Sequence, residues 1–263
     1  MASVNGPVRG VGAVVNGWSV LQLSEKAAAL AMGQRRITVV IPEMIRVQGG
    51  TFSMGSTRFT HTQPVREITL TEYAIGKYPV TNAQWLGYLQ VTERTIPKLV
   101  ANIQMSMHPV VNVSWTDAMD YCEFLTELTG REFGLPTEAQ WEFAARGTDR
   151  NEYPWGKYFD ANKVVSNISG TQPVDTLPDG KSWCDARDMS GNVWELAFDW
   201  YKNKYDTKDL MNPKGPQSGT YKVRRGGSFC SDGLTDMRGA SRDPVLPGYR
   251  DYDFGFRVSE VLI

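Results

Sequence analysis

The sequence predicts an α+β domain of few helices, short strands and much ordered loop. Three observations point to it. Polar caps precede three amphipathic stretches, strand-like runs stay short without a βαβ rhythm, and residues 147–191 are rich in Gly, Pro, Asp and Asn. So much loop needs anchors, and eight Trp with many Arg supply them.

Taken in order, residues 1–42 form an N-terminal extension expected to pack on a single domain, 43–263. Leu23–Met32 predicts a short helix capped by Ser24 and stopped by Gly33. Ile37–Ile41 predicts a strand ended by Pro42. Met44–Val47, then Gly49-Gly50, then Thr51–Gly55 predict a hairpin, and Ile68–Ile75 alternates as one half-buried strand. Thr81 with Gln84 is a capping box opening a helix that carries Trp85 and Leu86 on its apolar face. Residues 92–107 are polar and expected to be a long loop.

A second helix follows, capped by Ser114 or Thr116. Ala118, Tyr121, Cys122, Phe124 and Leu125 keep helical spacing up to Gly130. Thr137 and Gln140 box the start of a third. Strand-like pieces interrupt 147–191. Trp194–Tyr201, Tyr221–Arg225 and Gly255–Val258 are the last strands. Trp85, Trp115, Trp141 and Trp194 are expected in the core.

Composition bounds the function. A formal net charge of -1 disfavours nucleic acid and anionic membrane as partners. No apolar run is long enough to span a bilayer. Met1–Val20 lacks a continuous signal-peptide core, so the chain is either cytoplasmic or stripped of a leader, with a surface or extracytoplasmic location favoured in the second case. Three cysteines, Cys122, Cys184 and Cys230, make no CxxC pair. Cys122 is expected as a buried thiol, with room for at most one disulfide. His61 and His108 alone do not build a triad or zinc site. Glu138 and Glu142 lie one helical turn apart, a spacing that could share a proton but better suits pairing with Arg131 or Arg146.

The C-terminal stretch is bracketed by Arg225-Gly226-Gly227-Ser228 and Gly255-Phe256-Arg257. Arg225 and Arg257 are rigid five-donor forks suited to tying carboxylates and carbonyls. Residues 229–254 show neither period and are expected to be mostly loop.

These motifs carry a resemblance. Gly49–Gly55, Ile75–Trp85, His108–Trp115, Leu135–Glu142, Asp188–Glu195, Arg225–Ser228 and Gly255–Arg257 resemble the formylglycine-generating-enzyme (sulfatase-modifying factor) superfamily over about residues 44–260. The resemblance implies a C-type-lectin-like fold. It also implies, for the enzyme, two cysteines just after Gly-Gly-Ser that bind copper and oxidise a substrate cysteine. Cys230 stands alone here, with Leu234, Thr235 and Asp236 where the second cysteine would lie. One thiolate cannot make a two-thiolate Cu(I) site. Iron-dependent relatives need a histidine cluster that this chain lacks.

Another branch, the variable proteins of diversity-generating retroelements, is similar between the same brackets. In that branch adenine mutagenesis of Asn codons rewrites the segment and cannot yield Lys, Glu, Gln, Met or Trp. Residues 229–254 contain no Lys, Glu, Gln or Trp, and Met237 falls at an expected framework position. The expected function is therefore a non-catalytic binding protein with a diversified surface. The alternative is an oxidase or other enzyme using Cys230.

Phe229, Leu246, Tyr249 and Tyr252 are the expected anchors of that surface. Ser231, Asp232, Thr235, Asp236, Ser241, Asp243, Asp251 and Asp253 are the expected polar contacts, with Cys230, Leu234 and Val245 displayed beside them. Tyr among small polar residues is the composition of antibody-type binding surfaces. No cofactor is required, although Asp188, Asn192 and Glu195 could hold a structural calcium ion. The expected partner is a protein or surface ligand, and the expected state a monomer.

Overall fold

The computed structural model describes residues 13–15, 18–22, 37–231 and 234–262. The helix expected at Leu23–Met32 and the contact expected at Asp232 lie outside these residues. Strands β1 (Ala13–Val15), β2 (Trp18–Gln22) and β3 (Thr38–Ile41) form an antiparallel sheet. Val39 of β3 is fully buried and joins the core that holds Trp85, Tyr88 and Leu89. These three sit on helix α1 (Asn82–Val91), and a Cβ at its Gly87 would come within 3.2 Å of the Val39 Cα. The extension thus lies against the domain through a close strand–helix approach.

All three expected capping boxes form. Gln84 N–H donates to Thr81 Oγ1 while Thr81 N–H donates to Gln84 Oε1 at the start of α1. A four-residue helix, α2 (Lys98–Ala101), stands within the segment expected as loop. Ser114, not Thr116, caps α3 (Trp115–Thr129), with Asp117 closing the box and Gly130 ending the helix at φ 70°. Thr137 and Gln140 box the start of α4 (Glu138–Arg146). Trp85, Trp141 and Trp194 are buried and Trp115 is half-buried.

The expected hairpin is not one. β4 (Met44–Val47) pairs with β7 (Tyr73–Gly76), whereas β5 (Gly50–Met54) pairs with β6 (Arg66–Leu70). Gly49 is there for close approach, since a Cβ on it would sit 2.1 Å from the Leu70 carbonyl oxygen. By the same topology the strand expected over 68–75 breaks at Thr71-Glu72, and its halves enter different sheets.

Two four-stranded sheets carry the rest. One has the order β4-β7-β13-β8, with β8 (Phe133–Gly134) and β13 (Ser259–Val261). The other runs β11-β10-β9-β12, with β9 (Trp194–Trp200), β10 (Lys222–Arg225), β11 (Arg242–Val245) and β12 (Phe254–Gly255). Within the segment expected to be mostly loop, β11 forms a short ladder, Arg242–Val245 pairing antiparallel with β10. Between Gly147 and Gly191 the backbone makes single-turn helices and isolated bridges rather than strands. No helix among the described residues is long and apolar enough to cross a membrane.

Candidate functional site

The segment 229–254 is held by charge buried beneath it. Arg225 is fully buried and donates to Glu142 Oε2 at 2.6 Å, Glu138 Oε1 at 3.3 Å, and the carbonyls of Gly239 and Ala240. Arg242 forks onto both Glu138 oxygens at 2.6 and 2.8 Å and reaches the Lys202 carbonyl. Glu142 also accepts from Arg146 and from Gly55 N–H. Burial alone would raise its carboxyl, but the Arg225 and Arg146 guanidiniums outweigh that and hold it below its ordinary value. Glu138 thus pairs with Arg225 and Arg242 rather than with Arg131, which binds Glu260 instead.

Asp199 sits behind this network and accepts from Glu138 N–H at 2.7 Å. Burial, and then the charge of Glu138, push it up to about 7. Beside it Lys222 lies 3.8 Å from the ring centres of both Trp115 and Trp200, and burial lowers its amine to about 8.

The second bracket is pinned separately. Arg257 donates twice to Glu195 and to the carbonyls of Gly76 and Arg187. Gly226 and Gly227 both have positive φ, 93° and 71°, and let the chain turn against Trp141 and Met237.

The start of the segment hangs from the neighbouring loop. Phe229 N–H donates to the Asn192 carbonyl, and Ile168 N–H to the Phe229 carbonyl. Ser228 Oγ donates to Asp253 Oδ2 at 2.7 Å, and Cys230 Sγ reaches the same oxygen at 3.2 Å. Tyr252 OH lies 3.8 Å from Cys230 Sγ, and its ring covers Phe229 at 5.8 Å between centres. Tyr249 OH donates to Asp251 Oδ2 at 3.2 Å. Arg250 forks onto Asp117, which closes the capping box of α3, at 2.7 and 2.8 Å.

The expected contact residues divide. Cys230, Leu234, Thr235, Leu246, Tyr249 and Tyr252 are exposed, and Asp236, Asp243 and Asp251 half-buried. Phe229, Ser231, Ser241, Val245 and Asp253 are buried, so they cannot serve as displayed contacts. Each has an internal duty. Phe229 packs under Tyr252, Ser231 Oγ accepts from Ser228 N–H, and Ser241 N–H closes a turn onto Arg238. Val245 ends β11 in the core, and Asp253 binds Ser228 and Cys230. Leu234 is tied through its carbonyl to the Tyr153 hydroxyl. Asp243 is paired with Arg224, whose guanidinium lies 4.4 Å over Trp194 and 4.8 Å over Phe254.

Sequence reading passes over Ser228 and Arg224 as contact-shaping residues. The repeated Arg-Arg before Gly-Gly was the available signal, since one arginine faces inward and the next outward on a strand.

The metals implied by the resemblance do not fit these residues. Cys122 is buried in α3, and Cys184 is bound to Ser182 and the Ala144 carbonyl, so neither supplies a second sulfur beside Cys230. All three cysteines are free, without a disulfide. For calcium, both Glu195 oxygens already accept from Arg257, and Trp141 Nε1 adds to one of them. Asn192 exchanges its amide with the Gln172 backbone. Asp188 retains a buried, unpartnered oxygen, and burial pushes its carboxyl up to about 6. Among the described residues no group of three or more His, Cys, Asp or Glu could hold a metal ion.

Comparison with known proteins agrees with this architecture. The chain is 32% identical over 245 residues to the serine/threonine-protein kinase Pkn1 of Chlamydia trachomatis, covering 84% of this chain but 38% of that protein. It therefore spans well under half the length of that relative. It is 28% identical to the mouse formylglycine-generating enzyme, covering 88% of this chain and 78% of the enzyme. PvdO from Pseudomonas aeruginosa has a similar fold, with a TM-score of 0.73, 24% identity, and coverage of 84% of this chain and 95% of its own. Treponema denticola variable protein 1 is similar too, with a TM-score of 0.70, 22% identity, and coverage of 92% and 98%. The model of the sulfatase-modifying factor enzyme 1-like domain matches residues 29–261, and the chain belongs to that family.

Proposed function

We propose that the chain is a non-catalytic binding protein whose 229–254 segment presents a diversified contact surface. One observation carries the reading: within a single segment, buried anchors and exposed contacts are separated. Met237, Ala240, Arg242 and Phe254 are buried, while Leu246, Tyr249 and Tyr252 stand out with about half of each side chain in solvent. Side chains can change at such outward positions at little cost to the fold, whereas the anchors cannot. The composition between the brackets supports the reading, since it lacks Lys, Glu, Gln and Trp.

The competing reading, an oxidase of the formylglycine-generating type, is favoured by the likeness to the mouse enzyme. It meets a chemical obstacle. Cys230 has a hydroxyl and a carboxylate for neighbours and no second thiol with which to bind Cu(I) in linear fashion.

The flanking DNA and an activity assay together test the proposal. A near-identical repeat of the codons for 229–254, differing at adenines, is expected beside the gene. No aldehyde should form on a cysteine-bearing sulfatase peptide supplied with copper and oxygen. Absence of any such repeat would remove diversification, and aldehyde formation dependent on Cys230 would establish the enzyme instead.

A further inference from the structure

A cavity of about 110 Å³ opens where β9 ends, with Arg66, Asp199, Trp200, Pro213, Gly215 and Pro216 among its walls. Asp199 is 5% exposed. Its Oδ2 accepts from Glu138 N–H, and its Oδ1 has no hydrogen-bond partner among the described residues. That second oxygen faces Gly215, since a Cβ on Gly215 would come within 2.8 Å of it. Buried polar atoms are nearly always bonded, so a carboxyl oxygen left free in the wall of a cavity points to a ligand.

The charge around Asp199 favours an anion. Glu138 of α4 is matched by Arg225 and Arg242, and the Tyr205 hydroxyl also donates to it. Arg66 of β6 and Lys222 of β10 act on Asp199 as well, and neither has an ion-pair partner among the described residues. On the exposed side of the cavity Lys202 and Lys204 are balanced by Asp206 and Asp209. The surplus inside is therefore positive. Burial, and then the charge of Glu138, push the Asp199 carboxyl up to about 7, so below that pH its free oxygen can donate a proton to a hydrogen bond.

We propose that this cavity binds a short aliphatic carboxylate, which accepts a hydrogen bond from Asp199 Oδ1 and lays its alkyl end against Trp200, Pro213 and Pro216. The site is separate from the displayed residues of 229–254 and does not depend on how they are read. Its volume suits about four to six heavy atoms, since benzene occupies a cavity of about 150 Å³. A carboxylate shares the Asp199 proton and answers the positive charge of Arg66 and Lys222. An ammonium group would need Asp199 ionised beside Glu138 and would meet those two cations. Phosphate would leave oxygens against the apolar walls without donors. An alcohol or amide would take the bond but not the charge.

The test titrates the intact chain with propionate, propionamide, propylamine and inorganic phosphate, followed by ligand-detected NMR. Propionate should bind saturably, and about tenfold more weakly at pH 8 than at pH 6, because the protonated fraction of a group titrating near 7 falls by about that factor. Asp199→Asn keeps a donor but cannot ionise, so its affinity for propionate should be the same at both pH values. Gly215→Ala crowds Oδ1 and should abolish binding. A pH dependence that persists in Asp199→Asn, or binding that Gly215→Ala leaves unchanged, would place the anion on surface lysines and overturn the proposal. Propionamide, propylamine or phosphate bound as tightly as propionate at pH 6 would overturn it too, as would no binding of any of the four.

Discussion

Arg257 meets Glu195 with both arms of its fork, Nε to Oε2 and Nη2 to Oε1, each at 2.6 Å. Neither side chain is more than 1% exposed. The pair joins the last bracket of the chain to the start of β9, and the guanidinium's remaining donors tie down the Gly76 and Arg187 carbonyls.

Arg257→Ala would leave the buried Glu195 carboxylate with Trp141 Nε1 as its one remaining side-chain donor among the described residues. A loss of about 3 kcal/mol or more is expected, the scale for breaking a buried pair by removing one partner. Denaturant unfolding measures it. A midpoint indistinguishable from the parent would show that the bracket does not bear on the fold.

Asp199 predicts a pH dependence with a definite sign. Folding raises its carboxyl from 3.8 to about 7, first through burial and then through the charge of Glu138. Between those values the folded protein keeps a proton that the unfolded chain has lost. The stability that proton gives is complete below the lower value and is lost as pH rises through the upper one. Asp199→Asn keeps an acceptor for Glu138 N–H but cannot ionise. Its melting temperature should therefore gain on the parent as pH rises from about 4 to about 7. A difference that stays flat across that range would place the proton elsewhere.

Cys230→Ser should fold as the parent does, because a hydroxyl can donate to Asp253 as the thiol does. Neither protein should bind stoichiometric Cu(I). Calorimetric titration with Cu(I) under reducing conditions gives the answer, and tight binding that disappears with the thiol would refute the binding-protein reading.

The segment should separate stability from recognition. Tyr249→Ala and Tyr252→Ala are expected to stay within about 0.5 kcal/mol of the parent, as exposed positions usually do. Arg242→Ala should cost about 3 kcal/mol or more, since it unpairs buried Glu138. Ser231 and Ser241 now belong with the anchors. If a combined stability and binding scan shows the two tyrosines unfolding the protein as readily as Arg242, the segment is ordinary core.

Much of the local structure was legible in the residues. Thr81 with Gln84, Ser114 with Asp117, and Thr137 with Gln140 each close a bond pattern within one helical turn, so no distant partner is needed to start those helices. Cys122 and the four framework tryptophans were likewise placed inside or against the core by spacing and motif. Gly49-Gly50 misled, because a glycine pair signals either a turn or a close approach, and the sequence does not say which backbone comes near. For the same reason Ile68–Ile75 alternates without interruption while its halves serve different sheets.

The site depended on distance in sequence. Glu138 finds Arg242 across 104 positions and Glu195 finds Arg257 across 62, so helical spacing alone offered only Arg131 and Arg146 as partners. Which residues of 229–254 face outward was equally hidden, since a segment with little regular periodicity has no repeating inner face. Burial of Ser231, Ser241 and Asp253 was decided by what the tertiary structure lays over them. The sequence by itself determined the helix starts, the brackets and the composition of the displayed segment, all of them local properties. The tertiary structure alone decided which charges are matched, because ion pairing is settled by proximity in space.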